Sequence, residues 1–123
     1  MFIVDEISGD ITTLTQGDTG EYVLTGLPTD DYYTYYLAVQ DQNRNPIGEE
    51  IVANGNLKST VTFPFTSSLT DLLTVKKNEE YATYNFGVKL CSKAGVEDTL
   101  IIGNKQVGEK NTITVYPKKV EGT

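Results

Sequence analysis

The sequence is poor in the residues that most enzymes use: its 123 residues include no histidine, no tryptophan and a single cysteine, Cys91. Histidine is the usual general base and a frequent metal ligand near neutral pH, so its absence removes the commonest catalytic and metal-binding arrangements. A lone cysteine forms no disulfide within the chain and, without a histidine to activate it, is a poor nucleophile. The composition therefore favours a protein that has no enzymatic activity and holds no metal or cofactor.

Long apolar runs are missing as well. No segment approaches the roughly 20 apolar residues that span a bilayer. Residues 1–6 carry acids where a signal peptide carries Lys or Arg. A chain of 123 residues has room for one hydrophobic core. We therefore expect a single domain over residues 1–123 that folds in a cytoplasm and does not contact a membrane.

Basic residues are scarce in the first half of the chain. Residues 1–60 hold ten acids against Arg44 and Lys58, a net charge of −8, whereas residues 61–123 hold seven acids against eight lysines, a net charge of +1. Phosphate binding needs clustered Lys and Arg, so nucleic acid is not an expected partner. The asymmetry could help copies pack head-to-tail, but two solvated faces that have no partner are the interpretation we favour.

Tyrosine, phenylalanine, threonine and valine are the residues of β-proteins, and many segments alternate apolar and polar residues as half-buried strands do. The strongest candidate strands are 33–39, 61–65, 83–90 and 112–116, and the weaker ones are 11–15, 21–25, 50–53 and 99–102. Pro64 has no N–H for a ladder, so its strand is expected to lie at a sheet edge or to end near the proline. Asn54-Gly55 is typical of a type I′ turn and predicts a hairpin between 50–53 and 58–65.

One segment has a helical pattern instead. Ser67 is a suitable N-cap, Asp71 is an acid in the first turn, and three leucines follow at helical spacing, so we predict a short helix over 67–73 across an open end of the domain. Seven to nine short strands with one small helix predict an all-β fold, an immunoglobulin-like two-sheet β-sandwich.

The most unusual segment runs from Asp30 to Tyr36 and holds four tyrosines in five positions. Side chains alternate across a strand, so these tyrosines cannot all face one core. Either the strand lies between two layers, or Tyr32 and Tyr36 lie on the surface. Exposed tyrosines beside acids are typical of protein interfaces and of platforms that stack on sugars, whereas core tyrosines with hydroxyls at the rim need no partner. We predict an interface formed by Asp30, Asp31, Tyr32 and Tyr36.

Other motif-like features carry weaker signals. The pairs Asp30-Asp31 and Glu49-Glu50 bring carboxylates together, as calcium sites and glycosidases do, but without the spacing of either. The turn at 17–20 contains the Asp-Thr-Gly of aspartic proteases, once and without the apolar residues that precede it there. We interpret the acids as solvated loop residues and Cys91 as a structural residue at a strand end.

Three stretches of the sequence resemble a known family. The opening strand and turn over 9–20, the strand over 80–90, and the closing pair 98–103 and 113–117 are similar, in this order, to the N-terminal domain of the phage baseplate upper protein. The chain departs from that family in having Glu80 where the family has a glycine and in eight residues, 104–111, that lengthen the final hairpin.

The resemblance implies a mechanical role. Such a domain docks onto a larger virion component and anchors fibres, in the baseplate, the tail or on the capsid surface, and performs no chemistry. Its partners would be other virion proteins and further copies of itself, and its location the virion, after synthesis in the host cytoplasm. The alternative interpretation is a carbohydrate- or ligand-binding β-sandwich that uses its exposed tyrosines.

Overall fold

A computed structural model describes residues 1–118. The strands of this part of the chain are β1 (Phe2–Val4), β2 (Ile11–Thr15), β3 (Gly20–Leu24), β4 (Thr34–Gln40), β5 (Ile51–Asn54), β6 (Val61–Phe65), β7 (Ala82–Cys91), β8 (Glu97–Leu100) and β9 (Asn111–Tyr116). One helix, α1 (Ser67–Thr70), follows β6. These nine strands form two sheets, so the predicted all-β sandwich with one short helix is confirmed.

The larger sheet has seven strands in the order β1-β2-β9-β7-β4-β5, with β8 also paired to β7. The first half of β7 pairs with β9 and its second half with β8, while β4 lies along the other edge. β2 and β9 are parallel, and the remaining pairs of this sheet are antiparallel. Strands of the second half of the sequence, β7, β8 and β9, lie in the middle of the sheet, with β1 and β2 on one side and β4 and β5 on the other, so the acidic half of the chain does not form a separate sheet.

The smaller sheet pairs β3 with β6 and packs against the larger one. Its inward side chains include Tyr22, Phe63 and Phe65, all of which are fully or almost fully buried. They meet alternate residues of β4 and β7, among them Leu37 and Phe86, and the Tyr22 and Phe86 rings are 5.1 Å apart. Burial of each large apolar side chain stabilises the fold by about 1.5–3 kcal/mol. The alternation in the sequence therefore identified the core faces of β4, β6 and β7 correctly.

Pro64 lies in β6, which among residues 1–118 pairs with β3 alone, and its side chain faces solvent. The prediction of an edge strand is confirmed. The missing N–H therefore interrupts no ladder in the sheet interior.

The predicted hairpin between 50–53 and 58–65 is wrong. β5 pairs with β4 and β6 with β3, so the two segments belong to different sheets. The Gly55 N–H donates to the Tyr33 carbonyl at 2.9 Å, which extends the β4–β5 pairing past the expected turn. The turn comes two residues later, where Asn56 and Leu57 have φ values of 50° and 63°.

The helix is shorter than predicted and begins differently. Its N-cap is Thr66, whose hydroxyl accepts a hydrogen bond from the Leu69 N–H at 3.3 Å, and Asp71 is the C-cap rather than a first-turn acid. The next two residues continue in tighter i→i+3 turns, which rotate Leu72 into solvent while Leu73 stays buried. Strand β8 starts and ends two residues before the predicted 99–102, and β1 was not predicted.

Candidate functional site

The predicted interface residues occupy two places. Asp30, Asp31 and Tyr32 lie in the loop that leads into β4, at one end of the sandwich. Tyr36 lies within β4 and points to the outer face of the seven-stranded sheet, away from the core. The structure thus brings three of the four residues together and assigns Tyr36 to a different surface.

The four tyrosines of this segment alternate as strand geometry requires. Tyr35 is fully buried and Tyr33 is half-buried on the same side, whereas Tyr32 is 54% exposed and Tyr36 is half-buried on the outer face. The Tyr33 hydroxyl donates to the Asp30 carboxylate at 3.2 Å. Desolvation, followed by this hydrogen bond, raises the pKa of Tyr33 above its usual value. One carboxylate oxygen of Asp30 is therefore already hydrogen-bonded to a residue of its own segment.

Two lysines lie over the outward tyrosines. The Lys93 Nζ is 5.6 Å from the centre of the Tyr32 ring, and the Lys89 Nζ is 5.3 Å from that of Tyr36. Lys89 also pairs with Glu97 at 3.0 Å. The hydrogen bond to Glu97 and then its charge raise the pKa of Lys89. The sequence places Lys89 on the polar face of its strand but does not indicate that Tyr36 is the residue opposite it.

Tyr36 borders a recess of about 340 Å³ on the outer face of the large sheet. Three cross-strand pairs of β4 and β7 form its base: Tyr36 with Lys89, Ala38 with Gly87, and Gln40 with Asn85. Because the central pair has almost no side chain, the two outer pairs stand above it as walls. A Cβ atom at Gly87 would meet nothing within 4 Å, so the space above this residue is open.

The remaining walls of the recess are polar. They come from Glu50, which directly precedes β5, from β8 and from the segment before β9. The polar side chains lining the recess include Gln40, Glu50, Asn85, Lys89, Thr99 and Lys110. Lys110 donates to the Gln40 side-chain oxygen at 3.4 Å. Among residues 1–118, the Asn85 amide takes part in no side-chain hydrogen bond within the protein. The recess therefore offers hydrogen-bonding groups that the fold itself does not use.

A second surface, at the opposite end of the sandwich, was missed by sequence reasoning. The rings of Tyr81 and Tyr116 lie 6.1 Å apart, and the two side chains are 50% and 39% exposed. Tyr116 also lines an open groove of about 990 Å³ together with Thr13, Thr15 and Glu80. The pair forms because Ala82 and Val115 are opposite each other in the β7–β9 ladder, a register that periodicity alone does not give.

The other candidates remain isolated. Cys91 is half-buried at the end of β7, and its Sγ lies 3.6 Å from the Ser92 carbonyl oxygen. No three or more Asp, Glu or Cys side chains of residues 1–118 are arranged to hold a metal ion. Within the same residues, no helix has the length and apolar character to cross a membrane.

No protein-family model matches this chain, and a comparison with curated proteins finds no match either. Any function proposed for the protein therefore rests on its own residues and their arrangement.

Proposed function

We propose that this protein is a non-enzymatic structural component of a phage particle. It holds neighbouring proteins or fibres in place in the tail, the baseplate or on the capsid surface, and its partners are other virion proteins and further copies of itself. It is made in the host cytoplasm and resides in the virion.

The observation that carries this proposal is where the family-like stretches lie. They are far apart in the sequence, yet β2, β9 and β7 are consecutive strands of one sheet, and β8 pairs with β7. Ile11 and Tyr84, from the first two stretches, are both register partners of Ile113 in the last. All three residues are buried. The residues that carry the resemblance thus form one continuous unit of the core, which supports a common origin over chance similarity of short strands.

The segment 104–111, by which this chain departs from the family, is bonded to the strands that carry the resemblance. Asp10 accepts hydrogen bonds from the Asn111 side chain at 3.2 Å and from the Thr112 N–H at 3.0 Å, and it pairs with Lys105 at 3.0 Å. These contacts fix the segment 104–111 against the opening stretch. A rigid, preformed surface suits a protein that is built into an assembly, because less conformational entropy is lost on docking.

The end of the sandwich formed by Asp30, Asp31 and Tyr32 is the docking surface that we propose. Tyrosine is enriched at protein interfaces, where its ring supplies apolar area and its hydroxyl a hydrogen bond. An assembly with many copies needs only a modest interface from each, because symmetry repeats the contact.

The proposal is tested on purified particles. Density-gradient fractions from an infected culture that produces the protein are analysed by quantitative mass spectrometry and by immunogold labelling. We expect the protein to co-purify with particles at a constant copy number and the label to lie at one site on them. Recovery only in the soluble fraction contradicts the proposal.

The docking surface is tested with matched tyrosine variants. Tyr32→Ala should lower incorporation into particles at least tenfold, whereas Tyr81→Ala, which removes an equally exposed ring from the opposite end, should leave it unchanged. Equal losses in both variants would show that incorporation does not depend on this surface.

A further inference from the structure

We propose that the recess between Tyr36 and Gln40 on the outer face of the seven-stranded sheet binds one ring of a neutral saccharide. This site is separate from the docking surface at Asp30–Tyr32 and does not depend on the structural role. A variant that fails to enter particles can still bind sugar here, and a variant that loses sugar binding can still enter particles.

The shape of the recess is the first reason. A volume of about 340 Å³ accommodates a single sugar ring with room for water. Its floor is the backbone at Ala38 and Gly87, which allows a flat ring to approach the sheet closely. The walls formed by Tyr36 with Lys89 and by Gln40 with Asn85 then lie at the two ends of such a ring.

The chemistry of the walls is the second reason. The amides of Gln40 and Asn85 each combine a donor pair with an acceptor, and Glu50 adds an acceptor, so adjacent hydroxyls of one ring can donate and accept at once. An apolar side chain of a protein partner would leave these groups unpaired, which is costly when they are covered. Tyr36 closes one end of the recess with apolar ring surface and a phenolic hydroxyl, which can contact the edge of a sugar ring that lies on the floor.

The charge of the lining favours a neutral ligand over the obvious competitor, an anion such as phosphate. Two lysines, Lys89 and Lys110, line the recess, but so do Glu50 and Glu109, so these four residues cancel. Lys89 is already paired with Glu97 at 3.0 Å and lies over the Tyr36 ring. Neutral hydroxyls match such a lining better than a charged group.

The contact between Lys89 and Tyr36 also holds the aromatic wall in place before ligand arrives. A preformed wall reduces the entropy lost on binding. A single ring in a shallow site still makes few contacts, so we expect a Kd of about 1 mM for a monosaccharide and tighter binding for an oligosaccharide that extends beyond the recess.

The experiment is an amide NMR titration of the full chain. The probes are glucose, galactose, mannose, N-acetylglucosamine and rhamnose, each added to saturation, with sodium phosphate as the anionic comparison. We expect at least one sugar to shift the backbone amides of Gln40, Asn85 and Gly87 in a saturable manner, while phosphate shifts none of them.

The decisive variant is Gly87→Val. Its side chain enters open space, and a β-branched residue suits a strand better than glycine, so the variant should fold with an unchanged or higher Tm. The same side chain covers the floor on which the sugar ring would lie and should weaken sugar binding at least tenfold. Thr62→Val places the same side chain on an exposed strand position of the smaller sheet and should bind like the wild type. Asn85→Ala, which leaves the floor open, should weaken binding several-fold.

Each other outcome overturns the inference. No saturable shift with any of the five sugars means that the recess is not a saccharide site. Shifts that persist in Gly87→Val place the sugar elsewhere on the protein. A response to phosphate and not to sugars assigns the recess to an anion.

Discussion

Lys105 and Asp10 form the least exposed ion pair among residues 1–118, with the Nζ 3.0 Å from the Oδ2 and each side chain only 18% exposed. The other oxygen of Asp10 accepts from Asn111, whose side chain is itself almost buried. One carboxylate thus joins the start of the chain to the segment before its last described strand.

We expect Asp10→Ala to lower the free energy of unfolding by about 2–3 kcal/mol, because it removes three contacts and leaves polar groups without partners in a partly buried place. Urea unfolding measures the loss. Asp98→Ala, at an exposed position of β8, is the control and should change stability by less than about 0.5 kcal/mol. Equal losses of unfolding free energy in the two variants would show that the Asp10 contacts stabilise the fold no more than an exposed carboxylate does.

The hydroxyl of Tyr35 is buried without a hydrogen-bond partner among residues 1–118. Its removal in Tyr35→Phe should therefore be neutral or stabilise the protein by up to about 1 kcal/mol. Tyr22 is the matched comparison, since its hydroxyl donates to the Gly9 carbonyl at 2.6 Å. Tyr22→Phe should cost about 1–2 kcal/mol in the same unfolding assay. The reverse order would contradict the hydrogen bonding described here.

Alkaline pH should destabilise the protein through its inward tyrosines. Burial is the main cause that raises the pKa of both Tyr22 and Tyr35 above the ordinary value of 10.0. The folded state therefore keeps protons that the unfolded chain loses, so this contribution is complete below pH 10 and is lost as the pH rises further. Unfolding curves at about pH 8 and about pH 11 should differ less in Tyr22→Phe than in the wild type. If the stability difference between the two pH values is the same in Tyr22→Phe as in the wild type, Tyr22 does not contribute to the loss of stability at alkaline pH.

Helix α1 offers a test of its cap. Thr66→Ala removes the hydroxyl that accepts from the Leu69 N–H and should cost about 1 kcal/mol. Ser67→Ala changes the residue that the sequence pattern favoured as the cap, and it should be nearly neutral. Thermal unfolding of the two variants decides between them, since a larger loss in Ser67→Ala would mean that the helix begins one residue later.

Gly103 is expected to tolerate no side chain. It has a φ of 66°, and a Cβ there would overlap the backbone carbonyl of Ser8, which cannot move aside easily. Gly103→Ala should therefore cost more than about 2 kcal/mol. Gly108 has a φ of 90° but open space around it, so Gly108→Ala should cost only about 1 kcal/mol of backbone strain. Melting temperatures of the pair separate the overlap from the strain.

The strands with large inward-facing residues were predictable because apolar residues recur at every second position of the sequence, as Phe63 and Phe65 do. Strand partners were not, because pairing depends on residues far apart. Asn54-Gly55 illustrates the limit: the dipeptide suits a tight turn, but the bond from Gly55 to Tyr33 continues the ladder. β1 has three residues and no usable pattern.

The candidate site was predictable to a similar extent. Alternation limits Tyr36 to the face opposite Tyr35, but whether that face is covered was left open by the sequence. The exposure of Tyr32 does not follow from alternation, because this residue lies in the loop before β4. Nor does the recess, because it arises where Ala38 happens to face Gly87 across two strands, and the Tyr81–Tyr116 contact depends on register in the same way.

The parallel pairing of β2 with β9 also bears on how the protein is made. Ile11 is synthesised well before its register partner Ile113, so the two strands cannot pair until the chain between them has been made. Non-local pairing of this kind slows folding, since a long loop must close before the contact forms. We therefore expect one edge of β2 to stay unpaired until β9 has been synthesised, so that the large sheet is completed late.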